Sequence, residues 1–160
     1  MLATTAVALL APVTTCAAQA RSVLATAPNE PRAVTVSGAK DGHVDATAAI
    51  QRAIDAARIT DGNGIVFLPS GRYRLSHSIL VPPGVRILGV GPTRPVLVLA
   101  DLTPGFQSGV ATMVVFTGGD QYAVGKVPVP VPTVVPPSGK GGSEVRDANS
   151  ATFYSAMSNI

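Results

Sequence analysis

Apolar and polar residues change their spacing twice along this chain. Between Asp45 and Arg58, the residues Ala49, Ile50, Ala53, Ile54 and Ala57 recur at helical spacing and form one narrow stripe. Asp45 stands where an N-cap carboxylate accepts the free N–H groups of a first turn. Asp61-Gly62-Asn63-Gly64 then stops the helix with residues that tolerate positive φ. Ile50 and Ile54 are expected inside, and Arg52 and Arg58, which lie off the stripe, in solvent. A stripe made mostly of alanine lets the helix lie close to whatever it covers, which is a packing role and not a catalytic one.

After the helix the period shortens. Ile65-Val66-Phe67-Leu68 is apolar on both faces, as in a buried strand. Arg72-Tyr73-Arg74-Leu75 alternates, as in a half-buried one. Ile79-Leu80-Val81, Val85-Arg86-Ile87-Leu88, Val96-Leu97-Val98-Leu99 and Met113-Val114-Val115-Phe116 follow. Pro69-Ser70-Gly71, Pro82-Pro83-Gly84 and Gly89-Val90-Gly91-Pro92 turn the chain between them. The starts at Ile65 and Val85 give about one coil per 20 residues, the period of a solenoid of stacked strands. A sandwich would also give short strands, but it does not ask for a small-residue helix before the first one. In a solenoid that helix covers the open end.

The segment from Ser37 to Asp55 carries a resemblance. Gly38-Ala39-Lys40-Asp41-Gly42 leads into Asp45-Ala46-Thr47-Ala48-Ala49-Ile50-Gln51-Arg52-Ala53-Ile54. This is similar to the Gly-Ala-Lys-Gly-Asp-Gly loop and Asp-Asp-Thr-x-Ala-Ile-Gln-x-Ala-Ile helix that open the pectate-lyase superfamily domain. Gly64 to Leu75 and Val81 to Gly91 continue the likeness, which covers about residues 33 to 100. The loop is one residue shorter here, and Ala46 replaces the second Asp of the pair. The resemblance implies a mainly β fold: the start of a right-handed parallel β-helix with an N-terminal capping α-helix. It also implies a carbohydrate-active protein of the polygalacturonase or rhamnogalacturonase kind.

The ends of the chain are different in character. Leu2 to Val13 is uncharged and rich in Ala, Leu and Val, and Ala18-Gln19-Ala20 fits a small-x-small cleavage site. No Lys or Arg precedes that stretch. Residues 1–20 therefore read as a signal peptide and 21–32, with Pro28 and Pro31, as a linker. Cys16 admits a lipoprotein alternative, although Thr15 stands where a smaller residue is usual. Cleavage after Ala20 would leave no cysteine. The cap and first coils span 33–117. In 118–145, Val127-Pro128-Val129-Pro130-Val131-Pro132 has proline at every second position, and Gly139 to Gly142 includes Lys140. It reads as a polyproline-like insertion outside any sheet, with a proline-rich ligand as the alternative. Residues 146–160 read as the start of the next coil of a longer protein.

Charged residues are 13% of the 160, about half the usual share, while Gly 16 and Pro 14 suit a turn-rich β architecture and exclude a coiled coil. No run after residue 20 reaches the roughly 18 apolar residues of a membrane span. A net charge of +3 is too small and dispersed to imply nucleic acid. One asymmetry remains: Arg72, Arg74, Arg86 and Arg94 fall between Ile65 and Ala100 without a carboxylate. They form either a basic face for an acidic polysaccharide or ordinary outward strand residues.

Glycoside hydrolysis needs two opposed carboxyl groups about 5–9.5 Å apart. Asp41, Asp45 and Asp55 belong instead to the loop and helix of the cap. His43 and His77 sit in unrelated segments and form no metal pattern. Gly139-Lys140 and Gly89-Val90-Gly91 lack the remaining residues of phosphate and dinucleotide loops. No residue is assigned to catalysis, to substrate or to a metal, and no cofactor is implied. The expectation is the front of a secreted or periplasmic polysaccharide-degrading protein, a glycoside hydrolase on pectin-type or other plant or microbial polysaccharides before a polysaccharide lyase. A non-catalytic adhesin or tailspike-like shaft is the other alternative. The 160 residues alone are expected to be inactive.

Overall fold

The structure is a computed structural model, and it describes residues 20–38, 40–59, 64–107, 111–117 and 154–160. The readings of a leader with Cys16, of the 118–145 insertion with Asp120, and of 146–153 lie outside those residues.

The elements are β1 (Val34–Thr35), β2 (Asp41–Asp45), α1 (Thr47–Ile59), β3 (Ile65–Pro69), β4 (Arg72–Leu75), β5 (Ile79–Val81), β6 (Arg86–Val90), β7 (Val96–Leu99), β8 (Val114–Phe116) and β9 (Ala156–Ser158). The protein is mainly β, with one helix among the described residues. Strands collect into three parallel sheets, ordered β1-β3-β6-β9, β2-β4-β7 and β5-β8. From β3 onward each strand joins the next sheet, and every third returns to the same one. Ile65 lies beside Arg86, Arg72 beside Val96 and Ile79 beside Val114. Gly-containing turns permit these changes of direction. Gly64 has φ +56°, and a Cβ there would run into the Gly84 carbonyl.

Period-2 alternation decides what each strand buries. On β4, Tyr73 and Leu75 are buried while Arg72 is exposed and Arg74 half-buried. All three residues of β5 are buried. The core joins Val66, Leu68, Tyr73, Leu75, Ile79, Val81 and Ile87 to Ile50 and Ile54 of α1, which are 1% and 0% exposed. Each such aliphatic side chain contributes about 1.5–3 kcal/mol when fully buried. Arg52 is exposed as expected. Arg58, expected in solvent, is half-buried.

One strand had no apolar signal. β2 is Asp-Gly-His-Val-Asp, almost wholly exposed, and pairs with β4 through a register shift between Asp41 and Asp45. It exists because backbone bonds to β4 form, not because a face is buried. Its pairing also moves the helix start. The N–H of Ala46 donates to the Arg74 carbonyl at 2.8 Å, and the Ala46 carbonyl accepts the first helical bond, from Ile50, at 3.0 Å. Ala46 is therefore the cap residue, and Asp45 acts from one position earlier.

Among the described residues the third sheet has no strand before β5, and α1 lies there. Gln51, 8% exposed, turns its amide onto Leu80. Its Oε1 accepts from the Leu80 N–H at 3.0 Å, and its Nε2 donates to the Leu80 carbonyl at 3.1 Å. One side chain thus supplies the donor and acceptor that a neighbouring strand would offer.

Residues 20–24, the last position of the leader reading and the head of the linker one, are tied down. The N–H of Arg94 donates to Ala20, that of Ser22 to Pro92 and that of Gly91 to Leu24. Asn159 binds this strap to β6: its Oδ1 accepts from Val23 at 3.0 Å, and its Nδ2 donates to Ser22 Oγ and the Gly89 carbonyl.

Candidate functional site

The four arginines do not share a surface. Arg72 and Arg74 alternate onto one face of β4, whereas Arg86 opens β6 in another sheet and Arg94 lies in the turn before β7. Arg94 is half-buried, and its Nε is buried with no hydrogen-bond partner. The β2–β4 pairing brings other polar groups to the first pair: Asp41 lies beside Arg72 and Asp45 beside Arg74. Chemistry-bearing side chains are therefore densest on the outward side of the β2–β4 pair and at its junction with α1.

There the carboxylates are already engaged. Asp41 Oδ1 accepts the N–H groups of His43 at 2.8 Å and Val44 at 3.3 Å. These hold its carboxyl below the ordinary aspartate value. Asp45 Oδ1 accepts from the Thr47 N–H at 2.9 Å and the Thr47 hydroxyl at 2.5 Å, and Oδ2 accepts from Ser76 Oγ at 2.6 Å. Partial burial works against the Asp45 charge, but the bonds from Ser76 and Thr47, with His77 nearby, outweigh it and hold the carboxyl low. Both groups are carboxylates at neutral pH, and neither is placed to act as a general acid. Asp55 accepts from Gln51 Nε2 at 3.2 Å and is part of the α1 packing. Asp101 is exposed in a turn.

The network sets a tautomer. Ser76 has one hydroxyl proton and gives it to Asp45, so the 3.0 Å contact with His77 Nδ1 requires that nitrogen to be the donor. Neutral His77 then keeps its lone pair on Nε2. His43 offers its carbonyl to Arg74 Nη1 at 3.3 Å. The two histidines belong to one polar surface, which spacing alone did not reveal. Among the described residues no three His, Cys, Asp or Glu gather as a metal site.

The Asp45–Ser76 link joins residues 31 apart, and no local motif announces it. The Asp-x-Thr spacing of Asp45 and Thr47 was the available signal for the near half of the network. Elsewhere, a cavity of about 410 Å³ opens among Pro95, Val96, Leu97, Met113, Met157 and Ile160. It is mostly apolar and carries no acid–base pair. No described helix is long and apolar enough to cross a membrane.

Comparison with known proteins gives this geometry a setting. The family described as rhamnogalacturonase A/epimerase, pectate lyase-like, matches residues 32–126. The chain is 44% identical over 72 residues to alginate lyase 7 of Azotobacter vinelandii, covering 40% of this chain and 8% of that protein. It is 38% identical over 88 residues to mannuronan C5-epimerase AlgE1 of the same organism, covering 51% of this chain and 6% of the relative. Mannuronan C5-epimerase AlgE2, also from that organism, is 43% identical over 68 residues, 38% of this chain and 7% of its own length. The chain thus spans under a tenth of these relatives. No solved structure matches significantly.

Proposed function

Because the chain belongs to the rhamnogalacturonase A/epimerase, pectate lyase-like family, we propose that it forms the first coils of an exported enzyme acting on a uronate polysaccharide by lyase or epimerase chemistry. The relatives carry the reading: the similar proteins are an alginate lyase and mannuronan C5-epimerases. Support for a right-handed parallel β-helix comes from strands that return to the same parallel sheet at every third step. Support for α1 as its end cap comes from Gln51, which occupies the free edge of β5. Residues 1–20 serve as the export signal, consistent with a polymer met outside the cytoplasm.

Elimination and C5 epimerisation both begin by removing the proton at C5, beside the uronate carboxylate. They need a base, and a cationic partner for that carboxylate. Asp41 and Asp45 are spent on Thr47, Ser76 and the backbone of β2, so neither is assigned as that base. Glycoside hydrolysis is the second reading, favoured by the rhamnogalacturonase part of the family description.

The test incubates the intact gene product and the 160-residue chain, in parallel, with polymannuronate, polygalacturonate and rhamnogalacturonan. Unsaturated product, reducing ends and solvent deuterium at C5 are followed. The expected result is unsaturated product or C5 exchange with the intact protein and no turnover with the 160 residues. Reducing ends without either signal would establish hydrolysis instead. No turnover on any polymer would leave a structural shaft.

A further inference from the structure

We infer that the outward face of β4, with Arg72 and Arg74 as its cations and Lys40 at its margin, is a docking surface for the carboxylates of a uronate polymer. This rests on the polysaccharide reading above and adds where the polymer is held.

Strand geometry makes the surface. Residues two apart on a strand point the same way and stand about 6.6 Å apart, so Arg72 and Arg74 form a short cationic row. Register sets this row between two others: Asp41 and Asp45 on β2, and Val96 and Val98 on β7. Lys40, exposed, is fastened beside Arg72 by the Arg72 N–H to its carbonyl at 2.9 Å. Arg72 itself leans across Gly42; a Cβ at that glycine would lie 3.2 Å from Arg72 Cβ and 3.6 Å from Nε. The missing side chain gives the arginine its seat.

Both β2 carboxylates lie alongside an arginine, yet neither makes an ion pair with it. Asp41 is turned to the His43 and Val44 N–H groups, and Asp45 to Thr47 and Ser76. Among the described residues, the Arg72 guanidinium has no acceptor, and Arg74 gives one bond, to the His43 carbonyl. A guanidinium presents a planar fork that matches a carboxylate with two parallel hydrogen bonds. The half-buried Val96 and Val98 next to it offer an apolar strip to the C–H face of a sugar ring. The ligand that meets both rows carries carboxylates on rings.

Dense phosphate polymers fit less well. The same face holds the two ionised aspartates, which oppose a closely spaced row of phosphates. Contacts to exposed arginines are screened over about 8 Å at physiological ionic strength, so binding is to weaken with salt.

The test measures binding of a fluorescent mannuronate oligomer to the 160-residue chain by anisotropy at low and physiological salt. Variants are Arg72→Gln/Arg74→Gln and Arg86→Gln, the last an exposed arginine on another sheet. Neutral mannan and polyphosphate are competitors. The expected result is a loss of at least tenfold in the double variant, under twofold for Arg86→Gln, competition by unlabelled oligomer and none by mannan. An equal loss with Arg86→Gln would show general basicity and overturn the proposal, as would polyphosphate competing better than the oligomer or no binding by the unaltered chain. Unchanged urea midpoints establish that the variants fold. Turnover by the intact gene product is measured separately: turnover with the double variant unimpaired in KM would sink this surface while leaving the enzymatic reading in place.

Discussion

Replacing Gln51 with methionine keeps the length of the side chain and removes its donor and acceptor together. The Leu80 N–H and carbonyl, on a residue 1% exposed, would then face the α1 side without partners. An orphaned buried polar group costs about 1–3 kcal/mol, so Gln51→Met is expected to lose about 2–6 kcal/mol. That is a large part of a typical stability of about 5–15 kcal/mol. With a urea slope near 2 kcal/mol per molar, the midpoint falls by about 1–3 M. Gln51→Glu is the companion for the case that the methionine variant does not fold. Its carboxylate can accept from the Leu80 N–H but faces the Leu80 carbonyl and Asp55, so its folded pKa is raised above the unfolded value of about 4.3. The deficit against the unaltered chain is full above the folded pKa. It shrinks as pH falls through that value and closes below about 4.3, where the protonated group can donate to Leu80. Urea titrations of all three proteins at matched pH read this directly. A methionine variant within about 0.5 kcal/mol of the original at neutral pH, or a glutamate deficit indifferent to pH, would refute the edge role of Gln51.

Tyr73 donates to the Pro69 carbonyl at 2.8 Å, and Tyr73→Phe is expected to cost about 1 kcal/mol in a melting experiment. Burial pushes the Tyr73 hydroxyl up to about 12, against about 10 unfolded, so its contribution is intact below pH 10 and lost as pH climbs through 12. The phenylalanine variant should flatten that alkaline limb. Asp45→Ala should cost about 1 kcal/mol through the helix start. Because the Asp45 carboxyl is held low, its contribution is present above the unfolded pKa and disappears as pH falls through the folded one. Urea midpoints of Asp45→Asn over acid pH should show that limb missing. Gly84→Ala should cost about 1–2 kcal/mol for its φ of +81° alone, having open space around it. Gly64→Ala should cost clearly more because its Cβ meets the Gly84 carbonyl, and equal losses would contradict that packing.

Where burial follows a period, the elements could be read in advance. The Ile50–Ile54 stripe, the doubly apolar β3 and the alternating β4 each announce their face. β2 could not be found that way, because nothing on it is buried and only its bonds to β4 make it a strand. Gln51 is hidden for the opposite reason: a polar residue next to an apolar stripe looks solvated until the strand edge it satisfies is known. The arginines show how far charge counting reaches. Composition marked a basic stretch, but the turns after Pro69 and Pro82 send Arg74 and Arg86 to different sheets. The Asp45–Ser76–His77 network depends on β2 lying against β4, a pairing with no local trace.

The two edges of the sheets are built differently. On the side of α1, each sheet ends in something that cannot be extended: a strand of only two residues, a charged strand with shifted register, and a strand whose bonds Gln51 has taken. On the other side stand Val96–Leu99, Val114–Phe116 and Ala156–Ser158, mostly apolar and with their outer backbone groups unclaimed among the described residues. On the proposed reading of α1 as the cap of a β-helix, pairing is directional: a further parallel strand is accepted beside Val96–Leu99, Val114–Phe116 or Ala156–Ser158 and disfavoured beside β1, β2 or β5.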